Sequence, residues 1–237
     1  MTPILAAAGL ITPTTTTLPT VSINLGNTLT KPSQSIIVIL LLSLLSIAPS
    51  LLIMMTSFVR IIIVLSITKN ALGLSTIPPS QVLTGLALFM TFFIMAPTFT
   101  QINNVAVSPY LNGKISAVTA YNDAQAPLKT WMLKQTRTPE LALFTQVTNQ
   151  HPAKPQDISM SALVPAFMLS ELKSAFIIGF VIYIPFMIVD LVVASILMSM
   201  GMMMIPPTLI SLPFKLLLFV LVDGWTLVVH GLLVSFR

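Results

Sequence analysis

The apolar positions of this chain are gathered into long runs, not spread at the spacing of half-buried surface helices or strands. Four runs reach the roughly 18 residues a helix needs to cross a hydrocarbon core. They cover Ile36 to Val59, Val82 to Phe99, Phe176 to Met204 and Leu209 to Phe236. The segment "IIIVLSITK" after Arg60 reads as a short apolar tail that carries the first helix onward. Pro49, Pro185 and Pro213 fall inside three of the runs and are expected to kink or break them, which helices in a membrane tolerate where neighbours satisfy the freed carbonyls. Two blocks between runs resemble each other: "GLSTIPPSQV" at 73–82 and "GMMMIPPTLI" at 201–210. Each reads as the reversal of a helical hairpin, with Pro78 and Pro79 or Pro206 and Pro207 at the turn. Ser80 and Thr208 are placed to cap the returning helix.

Polar sequence divides these runs into four regions. Residues 1–35 are rich in Thr and Pro, carry no charge before Lys31 and read as a loose extracytoplasmic lead. "ILAAAG" has the small residues of a cleavage site but lacks the basic start and apolar length of a secretory signal. Residues 36–99 form a first helical hairpin. Residues 100–160 carry about half of the charges and read as a small helical extracytoplasmic domain. There Leu128, Trp131 and Met132 share one helical face. Thr138, Pro139 and Glu140 start a second helix, on which Leu141, Phe144 and Val147 share a face. Residues 161–237 form a second hairpin around a Met-rich loop. The fold expected is all-α: a polytopic integral membrane protein of kinked helical hairpins.

Composition agrees with this reading. The 237 residues are 55% hydrophobic and 7% charged, with mean hydropathy +0.97, far from the globular norm of about 25% charged. A net charge of +5 without a Lys/Arg cluster makes no nucleic-acid face. Arg60 and Lys69 are expected to bracket a short cytoplasmic link between the first two helices, leaving the N-terminus outside. Cysteine is absent, which removes disulfides and thiolate chemistry.

Enzyme signatures are scarce. No phosphate loop or carboxylate cluster is present, and "SELK" at 170–173 matches a serine acyl-enzyme spacing without its companion motifs. His151 and His230 alone do not make a metal site, so neither a catalytic residue nor a metal or cofactor is expected. Charges within apolar runs carry more information, since each costs at least ~2.5 kcal/mol at a bilayer centre unless it meets a partner or water. Glu171, Lys173, Asp190, Lys215, Asp223 and His230 form this set. Glu171 is expected to pair with Lys215. Asp190 and Asp223 join them as helix-packing or inter-subunit charges. Asp223 and His230, seven apart, share a face that would suit a proton path, which supports the alternative of a proton-coupled small-solute transporter.

"MGMMMIPP" at 200–207 sets flexible, polarizable side chains on a reversal. Copies of such a loop meeting on an axis make a compliant apolar ring, which seals against ions yet deforms around a passing chain. The competing reading is that Met202, Met203 and Met204 fill gaps in a core.

The segments at 56–99, at 163–229 and "PLKTWMLKQTRTPELALF" at 127–144 resemble the FliP family of flagellar export-gate proteins, with counterparts (SctR) in virulence type III secretion. The resemblance covers nearly everything after residue 36. It implies a homo-oligomeric ring of five copies with FliQ and FliR in the flagellar basal body of the bacterial inner membrane. Through such a gate unfolded flagellar subunits pass, delivered by FlhA and FlhB. It also implies that Met202, Met203 and Met204 line the constriction, that Trp131 and Phe144 pack during assembly, and that the helices form a cone raised above the membrane plane.

Overall fold

The structure is a computed structural model describing residues 36, 38–39, 42–43, 45–46, 50, 53–74, 76–150, 152–202 and 204–236. The lead at 1–35, Pro49, His151 and Met203 lie outside the described residues. The chain divides into two units, Met1–Ile47 and Ala48–Arg237. In the first, the described residues from Ile36 to Ser46 are helical. Ser43 and Ser46 each donate a hydroxyl hydrogen to the carbonyl four residues back, at 2.9 and 2.8 Å, the way serine is accommodated in an apolar helix.

The second unit is all-α among its described residues. Helix α1 spans Phe58–Ala71, and α2 spans Ser80–Ile102. A π-helical turn, Asn103–Val107, joins α2 to the short α3, Ser108–Leu111, giving one rod of 32 residues. Helices α4, Ala117–Gln135, and α5, Thr138–Val147, form a small hairpin. The 40-residue α6, Met160–Ser199, follows, then α7, Pro207–Leu221, and α8, Gly224–Val234. The α2–α3 rod and α6 are long and apolar enough to cross a membrane, and α7 with α8 makes a third candidate bent by 63°.

Four expectations from the sequence change. The first run is not one helix with a tail: residues 55–57 leave the helical path. There the Thr56 hydroxyl donates to the Ile53 carbonyl at 2.8 Å and accepts the Phe58 N–H at 3.4 Å, local bonds that compete with helix continuation. The supposed tail is α1 itself, the most buried helix, with Ile61, Val64 and Leu65 fully enclosed. Arg60 and Lys69 therefore bracket no link; both lie inside α1 and are buried. The third run begins at Met160, not Phe176, because its first turns hide Ala162, Leu163, Ala166 and Phe167 while placing Ser, Glu and Lys between them. In the fourth run the break falls at Asp223, whose backbone is left-handed (φ 50°, ψ 52°). Pro213 stays within α7, and α6 runs on through Pro165 and Pro185.

The main core forms where α1 lies among α2, α6, α7 and α8. Its centre is Ile61, Val64, Leu65, Leu83, Ala87, Phe186 and Phe219. A second core, built on Met132, Ile158, Leu163 and Phe167, seats the α4–α5 hairpin against the first half of α6. Leu128, Trp131, Leu141 and Phe144 pack on it as their spacing predicts, whereas Val147 is exposed. Helices α1 and α6 run parallel, since Arg60 meets Glu171 and Ile67 meets Gly179.

The contact at Gly179 is close. A Cβ there would stand 2.5 Å from Ile67 Cδ1 and 3.1 Å from its Cβ, so the two helices approach over a bare backbone. Gly179→Ala is expected to lower stability by about 1–3 kcal/mol, as overpacked cores do. Adding Ile67→Ala should return much of the loss, as read by thermal unfolding in detergent.

Candidate functional site

Both Gly-to-Pro-Pro blocks fold alike at the backbone. At the end of α1 the Leu72, Gly73 and Leu74 amides donate to the carbonyls of Thr68, Asn70 and Lys69 at 3.2, 3.0 and 3.3 Å. At the end of α6 the Met200, Gly201 and Met202 amides repeat the pattern on Ile196, Met198 and Leu197 at 3.1, 3.0 and 2.9 Å. Gly73 and Gly201 stand at φ 76° and 75°, the left-handed position that ends a helix in a Schellman motif. The returning helices start differently from the expected capping. Pro79 and Pro206 occupy the N-cap positions, and Ser80 and Thr208 fall inside the helix, where neither side chain caps an amide. Pro78 precedes the first of these starts, and Pro207 opens the second at the position where a missing N–H costs nothing.

The α6–α7 turn presents its methionines outward. Met200 is 67%, Met202 39% and Met204 97% exposed, so within one chain the described methionines of this turn do not fill a core. Beneath the turn, α7 is fastened to α6. Lys215 Nζ donates to Asp190 Oδ2 at 2.6 Å and to the Ala71 carbonyl at 3.2 Å. One turn earlier, the buried Ser211 hydroxyl donates to Asp190 Oδ1 at 2.5 Å. A cation on the last carbonyls of α1 also suits the negative end of that helix.

Lys215 is thus paired with Asp190 and not, as expected, with Glu171. Glu171 and Asp190 lie 19 positions apart on α6, roughly 28 Å at the helical rise of 1.5 Å per residue, and Lys215 sits at the level of Asp190. Glu171 instead receives Arg60, expected from the sequence to flank a cytoplasmic link. Arg60 Nε donates to Glu171 Oε2 at 2.9 Å, and Nη2 closes a two-toothed ion pair on Oε1. The same Nη2 reaches Gln135 Oε1 at 3.2 Å, while Nη1 donates to the carbonyl and hydroxyl oxygens of Ser235 at 2.8 and 3.2 Å. The guanidinium carbon lies 4.0 Å from the centre of the Phe236 ring, a cation–π contact. Trp131 stacks with Phe236, their ring centres 5.9 Å apart. One side chain therefore joins α1, α4, α6 and the end of α8. The signal available in the sequence was the apolar residues on both sides of Arg60, the same criterion that singled out Glu171.

A third ion pair holds α5. Lys173 Nζ lies 2.9 Å from Glu140 Oε1, and this hydrogen bond holds the Glu140 carboxyl below its usual range. The Arg137 amide donates to the Ser170 hydroxyl at 3.0 Å. Both residues of the serine–lysine spacing are thereby engaged with the start of α5. Asp223 and His230 are exposed, and no hydrogen bond joins them among the described residues. No group of three or more His, Cys, Asp or Glu is placed to hold a metal ion among the described residues.

Glu171→Gln leaves Arg60 buried without its counter-charge and is expected to cost about 3–5 kcal/mol. Replacing both, as Arg60→Met with Glu171→Met, should cost less than either single change in a double-mutant cycle of thermal stability.

The profile of the FliP family matches residues 41–232. The chain is 56% identical to the flagellar biosynthetic protein FliP of Bacillus subtilis (strain 168) over 205 residues, 86% of this chain and 93% of that protein. It is 52% identical to FliP of Pectobacterium carotovorum subsp. carotovorum, over 85% of this chain and 79% of the relative. Against FliP of Aquifex aeolicus (strain VF5) the identity is 49%, over 86% and 87%.

Proposed function

Because the chain belongs to the FliP family, we propose that it is a core subunit of the flagellar protein export gate, forming with FliQ and FliR the channel through which unfolded flagellar subunits leave the cell. In this reading five copies form a ring in the bacterial inner membrane at the basal body, FlhA and FlhB deliver the cargo, and the turns between α6 and α7 meet on the ring axis.

The observation that carries the reading is the exposure of Met200, Met202 and Met204 at the tip of the longest hairpin. Unbranched thioether side chains repack at little cost. A ring of them shuts out water and ions when empty and yields to an extended chain, which a filter of fixed charges would not do. The Lys215–Asp190 pair and Ser211 hold the two helices below the tip, so the soft side chains stand on a firm base. The outward faces of α6 and α7, with Phe180, Val181, Leu191, Phe214 and Leu217 exposed, would be covered by neighbouring subunits or lipid.

The test is ion conductance across membranes carrying the assembled gate, with Met202, Met203 and Met204 changed to Ala. A leak is expected in the variant and a tight membrane in the parent. A variant that stays tight while export continues would move the seal to another subunit.

A further inference from the structure

The described methionines stand in different chemical environments. Met90, Met95 and Met132 are buried. Met187 and Met198 are exposed but lie within α6, on a helix long and apolar enough to cross a membrane. Met200, Met202 and Met204 stand on the reversal itself, past the last residue of that helix, and Met204 is 97% exposed. Oxidation of a thioether follows its exposure. A water-sized oxidant therefore meets the turn before it meets the cores.

The turn is also poor in hydrogen-bond donors. The amides of Met200, Gly201 and Met202 are spent on the carbonyls of Ile196, Met198 and Leu197, and Pro206 and Pro207 have no N–H. No Lys, Arg, His, Asn, Gln, Trp or Tyr occurs between Asp190 and Lys215. The Ser199 and Ser211 hydroxyls are already committed, to the Ile196 carbonyl at 2.7 Å and to Asp190. A sulfoxide oxygen is a polar acceptor that needs a donor, so one formed here draws it mainly from water. Thioethers keep the tip dry, and sulfoxides wet it.

We propose that the α6–α7 turn is a peroxide-sensitive oxidation site, with Met204 reacting first, whose sulfoxides wet the apolar seal and let ions through; this rests on the ring reading above. The thioether sulfur attacks one oxygen of hydrogen peroxide. An S–O bond forms, the O–O bond breaks, and the departing hydroxide takes up the proton released from the attacked oxygen and leaves as water. Sulfur is oxidised and peroxide is reduced by the same electron pair. Each copy brings its own sulfoxides to the axis, so polar groups accumulate where dewetting closes the path. The change is reversible, because sulfoxide reductases restore the thioether.

Membranes carrying the assembled gate are treated with dilute hydrogen peroxide, ion conductance is recorded, and oxidised methionines are mapped by peptide mass spectrometry. The parent is compared with the Met-to-Ala variant above and with a variant carrying Met200→Leu, Met202→Leu, Met203→Leu and Met204→Leu, which stays apolar and cannot form a sulfoxide. Met204, then Met200 and Met202, are expected to gain one oxygen before Met90, Met95 and Met132 do. Conductance should rise in step in the parent and stay at its untreated level in the Leu variant. Oxidation of the turn without a leak, when the Ala variant does leak, overturns the proposal and leaves the seal reading intact. Tight membranes in all three overturn both. A leak shared by the parent and the Leu variant, or buried methionines oxidised as early as Met204, also overturns the proposal.

Discussion

A guanidinium inside an apolar bundle has five N–H groups and no water to give them to. Arg60 solves this by reaching four partners on three other elements: Glu171 on α6, Gln135 at the end of α4, and Ser235 and the face of Phe236 just beyond α8. The acceptors have to arrive in one place for any of them to count, because a planar fork fixes direction as well as distance. The relative placement of α1, α4, α6 and the chain's last helix follows from that requirement. Breaking a buried pair costs far more than its net contribution to stability, so the corner acts as a specification of geometry more than as a source of stability.

The second fastening lies far along α6, where Lys215, Ser211 and Asp190 join α7 to α6 and the end of α1. Between the two, α1 lies parallel to α6 and passes Gly179 at backbone contact. The long helix is thus held near both ends, and its remaining apolar surface faces outward. Polar fastenings within and apolar faces without suit a subunit that meets lipid or other chains over most of its length. The methionine turn stands at the far end of this braced hairpin, which is the arrangement in which a soft tip keeps its position.

Much of this was legible in the residues. Run length gave an all-α membrane-class fold, the paired Gly-to-Pro-Pro blocks marked both reversals, and the spacing of Leu128, Trp131, Met132, Leu141 and Phe144 found the second core. Hydropathy misled where burial is by protein and not by lipid. Phe58–Ala71 reads as a tail because it is short, although it is the helix most enclosed by neighbours. Arg60 and Lys69 read as the brackets of a cytoplasmic link because cations beside apolar runs mark membrane flanks, whereas both are buried inside a helix. The Glu171–Lys215 pairing failed because sign alone does not fix depth along a 40-residue helix. The break at Asp223 was hidden because a left-handed residue other than glycine leaves no mark in composition.

The most direct measurement is hydrogen exchange, resolved by peptide, on Arg60→Lys. Lysine keeps the charge and can still meet Glu171, but it loses the planar fork. Protection should fall at the end of α4 around Gln135 and at Ser235–Phe236, while α1 and the middle of α6 stay protected. Unchanged protection at those two termini, or an even loss across the whole bundle, would contradict a corner organised by the geometry of one guanidinium.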